Sequence, residues 1–150
     1  MQTVRLAHDD GLGLQAAVRA GCRAAASWTP ATGVAVVPAD LPCLLAADVT
    51  RVLASGQAAD GTFVPDHVAS GTTVLMCAQG HTVLTQYGPS SAAKHRALGL
   101  RCLDDAPARA RHDVDTVEDL QMATALGLGR ETAAVQASMH GPGALDQHAS

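Results

Sequence analysis

Aromatic side chains are nearly absent from this sequence, which has one Phe, one Tyr and one Trp in 150 residues. Few rings are therefore available to stack on bases, and a net charge of -4 gives no overall basic surface for a phosphate backbone. Because hydrophobic residues still make up 47% of the chain, the core has to be built from closely packed Ala, Val and Leu. We expect one domain with helices layered on a sheet, and no nucleic acid partner.

Paired cysteines and long apolar runs are lacking as well. The four cysteines are widely separated and form no CxxC pair, so we expect reduced thiols and neither a disulfide framework nor a zinc site. No apolar run approaches the ~20 residues that cross a bilayer, and the N-terminus lacks a signal-peptide pattern. The sequence thus predicts a soluble, cytoplasmic chain with no membrane partner.

Strand and helix patterns alternate along the chain, which predicts an α/β domain with a largely parallel sheet. The expected strands are 4–6, 33–38, 62–66, 72–79 and 111–115, and the expected helices are 13–28, 46–55, 90–99, 116–127 and 130–138. The helix 90–99 is expected to be capped by serine and ended by glycine. The domain is expected to cover residues 1–137, with a flexible tail at 138–150 where Gly, Pro and His replace the apolar periodicity.

The first candidate site residue follows the apolar segment GVAVVP, where Asp40 stands between Pro38 and Pro42. In open α/β sheets, ligands bind beyond the carboxyl ends of strands. The two prolines would then fix a turn that directs the Asp40 carboxylate into such a site. The alternative is that Asp40 only caps the turn or helix that follows, and this segment by itself favours neither interpretation.

A second acidic motif, HDVDT, contains Asp113 and Asp115. In an extended segment, alternate side chains share a face, with Cα atoms ~7 Å apart. Like charges this close raise each other's pKa unless a cation is present, and oxygen ligands without His or Cys select Mg²⁺. The alternative is that Asp115 caps the following helix together with Glu118, leaving Asp113 in solvent. Joined with Asp40, the motif predicts that the three carboxylates converge on one Mg²⁺ site.

A third motif, QYGPSSAAKHR, brings a Gly-Pro turn and two serines to the start of a helix. Helix N-termini carry unpaired N–H groups that attract anions, and Lys94, His95 and Arg96 add cations, although such serines often only cap and such lysines are often solvated. The segment SGTTVL offers two hydroxyls after Gly71, either as strand residues or as donors to a small acidic substrate. Both segments could contribute to an anion site.

The segment GLGLQA, from Gly11 onward, fits the GxGxxA pattern of dinucleotide-binding domains. However, the residues AHDD separate it from the preceding strand, and the next strand-end acidic residue lies beyond the usual ~20 residues. A dinucleotide-binding module therefore remains an alternative that its own spacing does not favour.

The motifs VVPADLP, SGTTVL, YGPSSAAKHRALGL and DVDTVEDL occur in the order and rough spacing of the guanylyltransferases of coenzyme F420 biosynthesis. The chain resembles this family, whose acceptor is phosphoenolpyruvate or 2-phospho-L-lactate, over roughly residues 4–137. The resemblance implies a GT-A-like (Rossmann-like) nucleotidyltransferase fold, with helices on both faces of a mostly parallel sheet. It also implies a cytoplasmic enzyme that converts GTP and phosphoenolpyruvate to enolpyruvyl-diphospho-guanosine and diphosphate.

On matching positions, the resemblance also implies site residues. The metal-binding aspartates would be Asp40, Asp113 and Asp115, with Mg²⁺ as cofactor, and the phosphoenolpyruvate contacts would be Thr72, Gly88 and Ser91. The acceptor phosphate would attack the α-phosphorus of GTP in line, so that positioning and charge neutralisation by Mg²⁺ matter more than a histidine base. His95 and His112 would then have supporting roles.

The family's first strand and its GTP-phosphate loop with Lys and Arg have no counterpart in this chain, so the resemblance leaves the GTP contacts unknown. Residues 4–6 could pair with GVAVVP in place of the family's first strand, a second chain could supply the pairing, or the chain could be marginally stable, which is the outcome we expect. We also expect these 150 residues alone not to transfer GMP. Weak stabilisation by phosphoenolpyruvate is still expected. A non-catalytic binder of phosphate ligands is the alternative to an enzyme.

Overall fold

A computed structural model describes residues 13–28, 33–56, 61–77 and 85–139. Within these ranges helices and strands alternate, so the predicted α/β class is confirmed. The elements are α1 (Leu14–Trp28), β1 (Val34–Val36), α2 (Ala46–Ser55), β2 (Thr62–Pro65), β3 (Thr72–Cys77), α3 (Ser91–Ala97), β4 (Arg101–Cys102), a 3-10 turn (Ala108–Ala110), α4 (Val117–Leu126) and α5 (Arg130–Met139).

The described strands form one mixed sheet in the order β1-β3-β2-β4. β3 is antiparallel to both β1 and β2, whereas β2 and β4 are parallel. The prediction of a mostly parallel sheet is therefore wrong. The physical reason is the connection 66–71 between β2 and β3, which is far shorter than the dozen or more residues that a parallel crossover requires.

Because β3 alone is reversed, β1, β2 and β4 all run in one direction. Their last residues and the first residues of β3 consequently lie at the same end of the sheet, as the pairing of Pro65 with Thr72 shows. We call this end the carboxyl edge. The segments that leave it are residues 37–45 after β1, 66–71 after β2 and 103–107 after β4.

Helices pack on both faces of the sheet, because strand side chains alternate between the faces. On one face, Phe63 and Leu75 lie in a buried cluster with residues of α1 and α3. On the other, Val64 and Val74 lie in a second cluster with residues of α2 and the 3-10 turn. β2 and β3 are buried at every position, so these two strands form the centre of both clusters.

The predicted strand at 111–115 is not formed. Instead of a strand ladder, the backbone N–H of Val114 donates to the Asp40 carbonyl at 3.0 Å. A segment with one apolar residue among charged ones gains too little from burial to build a ladder. The sequence pattern also missed β4, which pairs with β2 instead through Arg101 and Cys102.

Two predicted helix caps differ from those observed. Ser90 precedes α3 in a left-handed conformation (φ 57°) and makes no side-chain cap hydrogen bond, and α3 ends at Ala97, short of the predicted end. At α4, the cap is Thr116, whose hydroxyl accepts the backbone N–H of Asp119. The observed cap, formed by Thr116 and Asp119, therefore lies one residue further along the chain than the alternative cap of Asp115 and Glu118.

The segment GVAVVP forms only the three-residue strand β1, whose middle residue Ala35 is exposed. Among the described residues β1 pairs with β3 alone, so it is an edge strand there. The predicted strand at 4–6 lies outside the described residues, as does the predicted tail apart from the last two residues of α5. No helix in the described part of the chain has the length and apolar character needed to cross a membrane.

We expect Thr73→Val to destabilise the fold by about 1–3 kcal/mol, the cost of leaving a buried polar group unpaired. Thr73 is 1% exposed, and its hydroxyl donates to the carbonyl of buried Ala110 at 2.6 Å, which ties β3 to the 3-10 turn. Urea unfolding would measure the loss. The control is Thr50→Val on the exposed surface of α2, where a change within about 0.5 kcal/mol is expected. Equal losses in the two variants would contradict the prediction.

Candidate functional site

The two predicted acidic motifs meet at the carboxyl edge of the sheet. The backbone N–H of Val114 lies between Asp113 and Asp115 in sequence and donates to the carbonyl of Asp40 at 3.0 Å. The turn after β1 and the segment before α4 are therefore held side by side, although they are far apart in the chain. This hydrogen bond brings together the backbones that carry all three predicted metal ligands.

The carboxylates of this region act on one another electrostatically. Asp40 and Asp115 are exposed, whereas Asp113 is partly buried. Burial raises the pKa of Asp113, and the negative charges of Asp66, Asp115 and Asp40 raise this pKa further. In the described ranges, no group of three or more His, Cys, Asp or Glu side chains is arranged to hold a metal ion. The region is thus a concentration of negative charge without a preformed three-ligand cage.

Two histidines border this acidic region. The rings of His67 and His112 have centroids 4.7 Å apart, and His67 Nδ1 lies 3.9 Å from Asp113 Oδ1. His112 is buried, with Nε2 2.9 Å from the carbonyl of Asp119 in α4. These contacts connect the segment that carries Asp113 to α4, so the two histidines help to hold that segment in place.

Asp66 is a structural residue of the site that the sequence analysis missed. Its carboxylate accepts the backbone N–H of Ser70 at 2.8 Å, the N–H of Gly71 at 2.7 Å and the hydroxyl of Ser70 at 3.2 Å. A Cβ added to Gly71 would lie 2.6 Å from an Asp66 carboxylate oxygen, so a larger residue there would displace the carboxylate from its present position. An Asp followed four and five residues later by Ser-Gly is a signal of this closed loop that the sequence contained.

The loop closed by Asp66 leads directly into Thr72, the first residue of β3. The hydroxyl of Thr72 is 2.8 Å from Nδ1 of His95 on α3, and the carbonyl of Ser70 accepts the N–H of Ala92 at 3.1 Å. The start of β3 and the start of α3 are therefore held together. His95 is fully buried, so the connection lies within the protein rather than on its surface.

The other two predicted acceptor contacts lie at the turn before α3. The N–H of Ser91 donates to the carbonyl of Gly88 at 3.1 Å, and Gly88 adopts φ +116°, with open space around its Cα. The N–H groups of Ser91 and Ala92 are both used inside the protein. At the start of this seven-residue helix, these two groups are therefore not available to bind an anion.

The glycine pattern of the dinucleotide alternative begins outside the described residues. Its last part opens α1, where the Gln15 side chain donates to the carbonyl of Tyr87 at 3.1 Å. Burial raises the pKa of Tyr87. Its hydroxyl is buried and, like that of Thr85, has no hydrogen-bond partner among the residues that the structure describes. In this chain, Gln15 therefore serves to hold the turn before α3 against α1.

The sequence comparisons confirm the resemblance seen in the motifs, because the chain is similar to proteins that are guanylyltransferases by name. The relatives are named phosphoenolpyruvate guanylyltransferase. That of Streptomyces scabiei is 41% identical over 134 residues, covering 89% of this chain and 62% of the relative. That of Streptomyces coelicolor is 42% identical over 135 residues, covering 89% and 64%. The chain thus spans less than two thirds of these relatives, and no protein-family model matches it.

We expect Asp66→Asn to destabilise the chain by about 1.5–3 kcal/mol, because the carboxylate accepts three hydrogen bonds and the amide nitrogen would face a backbone donor. Thermal or urea unfolding would measure the effect. The exposed Asp105→Asn is the matched control, with an expected change within about 0.5 kcal/mol. Unchanged stability of Asp66→Asn would show that the loop does not depend on this carboxylate.

We further expect the chain to lose stability as the pH falls below about 6.5. Burial, and then the charge of Lys94, lower the pKa of His95 in the folded state. Between the unfolded pKa and this lower folded pKa, the unfolded chain binds the extra proton, so acid favours unfolding, whereas above pH 6.5 no such penalty remains. The free energy of unfolding, measured from pH 7.5 to 5, should depend less on pH in His95→Gln than in the wild type or in His67→Gln. Parallel curves for all three would disprove it.

Proposed function

We propose that this chain carries the acceptor and metal half of a guanylyltransferase site that transfers GMP from GTP to phosphoenolpyruvate, in coenzyme F420 biosynthesis. The observation that supports this most is the joining of the two acidic motifs by the Val114–Asp40 hydrogen bond, at the same sheet edge as Thr72. Relatives 41% and 42% identical bear the name of this activity. Phosphoenolpyruvate is preferred to 2-phospho-L-lactate as acceptor because it is the compound in those names.

The proposal includes a GT-A-like nucleotidyltransferase fold. Two features of the structure support it: helices on both faces of the sheet, and polar segments that collect at the carboxyl edge. In α/β folds this edge is the usual ligand-binding position. The reversed β3 changes the pairing pattern but leaves the edge intact. We also propose a cytoplasmic location, in keeping with a sequence whose four cysteines are widely separated and form no CxxC pair.

The acidic region fits Mg²⁺ as a cofactor. Mg²⁺ is usually bound through one or two carboxylates together with substrate phosphates, rather than by a cage made only of protein ligands. Asp113, with Asp40 and Asp115 beside it, offers oxygen ligands of this kind. Burial first, and then the negative charges of Asp66, Asp115 and Asp40, raise the pKa of Asp113, and a cation would offset those charges. When bound, Mg²⁺ would neutralise charge on the reacting phosphates.

The acceptor half of the proposed site supplies neutral donors. Thr72 is the first residue of β3 at the carboxyl edge and is 8% exposed, and Ser91 is the first residue of α3 and is 2% exposed. Hydroxyl donors suit the phosphate and carboxylate oxygens of phosphoenolpyruvate, which act only as acceptors when ionised. The Asp66 loop and the buried His95 fix the position of the first residue of β3. The role of these residues is to hold the acceptor, and the reaction requires little proton transfer.

The test is diphosphate release from GTP, phosphoenolpyruvate and Mg²⁺, by this chain alone and by a fusion to the part of the Streptomyces scabiei relative that it does not match. We expect activity in the fusion and none in the chain alone. Asp113→Asn should lower the fusion's rate at least about 100-fold, since a metal ion contributes several kcal/mol.

Glu131→Gln is the control for this experiment, because Glu131 is an exposed carboxylate in the first turn of α5, and its rate should stay within about twofold of the unmodified fusion. An inactive fusion, or an Asp113→Asn variant with the unmodified rate, would contradict the proposed function. Turnover by the chain alone would show that its own residues already bind the GTP phosphates.

A further inference from the structure

His95 stands out because both of its ring nitrogens are engaged inside the protein. Nε2 accepts the backbone N–H of Gln86 at 3.0 Å, and Nδ1 is 2.8 Å from the hydroxyl of Thr72. The ring lies against Phe63 and Tyr87, with centroid distances of 5.5 Å and 5.7 Å. His95 is 0% exposed, so no water is available to replace either hydrogen bond.

The partner at Nε2 fixes the position of the proton on the ring. A backbone N–H can only donate, so Nε2 has to present its lone pair. A neutral imidazole carries one proton, which is therefore on Nδ1 and is donated to Thr72. One lone pair of the Thr72 oxygen then accepts this hydrogen bond. The hydroxyl proton of Thr72 remains to be donated elsewhere, and within the described residues Thr72 has no second side-chain hydrogen bond.

We propose that His95 is a positioning residue that makes Thr72 a hydrogen-bond donor toward the acceptor substrate. This inference rests on the proposed function, in which Thr72 contacts phosphoenolpyruvate. An ionised phosphate or carboxylate oxygen accepts hydrogen bonds and never donates them. A hydroxyl with one lone pair already used by His95 is oriented for such an oxygen before the substrate arrives, which reduces the cost of ordering it on binding.

The direction of the hydrogen bond distinguishes this role from simple packing. A residue that only filled the space between α3 and β3 could be replaced by any neutral side chain of similar size. Substituting His95 by Asn or by Gln tests the hydrogen bonds of its two ring nitrogens one at a time. The Asn amide reaches the position of Nδ1, and the Gln amide reaches that of Nε2. Asn can still donate to Thr72, whereas Gln can still accept from Gln86 N–H but no longer serves Thr72.

The proton position can be measured without any ligand, by nitrogen-15 NMR of the histidine rings in the complete chain near pH 7. We expect one ring with a proton on Nδ1 and a bare Nε2, and this signal should be missing in His95→Asn. A proton on Nε2, or a charged ring, would overturn the inference. Because this measurement does not involve phosphoenolpyruvate, it judges His95 even if the proposed function fails.

The second measurement is the dissociation constant of phosphoenolpyruvate with Mg²⁺, by titration calorimetry on the complete chain. We expect His95→Gln and Thr72→Val each to weaken binding about 10- to 100-fold, which corresponds to one hydrogen bond to a charged group. His95→Asn and Thr72→Ser should stay within about threefold of the wild type. Adding His95→Gln to Thr72→Val should cause no further loss, since both remove the same donor.

Equal weakening by His95→Asn and His95→Gln, or additive losses in the double variant, would overturn the positioning role. If His95→Gln does not fold, the comparison of Thr72→Val with Thr72→Ser and the proton position still decide the matter, because both are read in chains that keep the histidine. No binding by the wild type, together with a proton on Nδ1, would count against phosphoenolpyruvate as the acceptor while supporting the assignment of His95.

Discussion

The pairing of β2 with β3 is the constraint on which the rest of this structure depends. Both strands are buried along their full length, so their backbone polar groups have to be satisfied within the sheet. Because strand side chains alternate, the same two strands supply apolar groups to the clusters on both faces. The helices on either side are therefore positioned against one common element, and so are the segments that leave its ends.

The reversal of β3 makes the sheet mixed without dispersing the candidate site. β1 and β2 still end at the carboxyl edge, so Asp40 and Asp66 follow strands that finish there. β3 begins at that edge, so its first residue, Thr72, joins them. The expectation that polar residues after strands lie near one another depends on strand direction at the edge rather than on parallel pairing. It therefore survives the error about the sheet.

Local patterns were enough to predict the helices but not the contacts of the candidate site. α2 was predicted with its observed bounds, because its apolar spacing is clear and Gly56 ends it. The contact between Thr72 and His95 joins residues 23 positions apart, and no local periodicity encodes it. The segment 111–115 alternates as a strand does, yet it lacks the apolar side chains and a neighbouring strand that would complete one. Contacts between residues far apart in the chain therefore determined both the Thr72–His95 pair and the conformation of segment 111–115.

The carboxyl edge has two parts that favour ligands of different charge, the acidic region around Asp113 and the neutral hydroxyl of Thr72. The carboxylates around Asp113 repel anions, and their charges add to the larger effect of burial in raising the pKa of Asp113. By contrast, a neutral hydroxyl such as that of Thr72, 2.8 Å from the buried ring of His95, suits anions. On the proposed function, an anionic acceptor gains affinity when a cation offsets the acidic half, and the cation gains affinity from the acceptor by the same factor. Because the donors beside the acidic region are neutral, acceptor binding would depend on the metal. A lysine at the position of Thr72 would attract the anionic acceptor by its own charge and so remove this dependence.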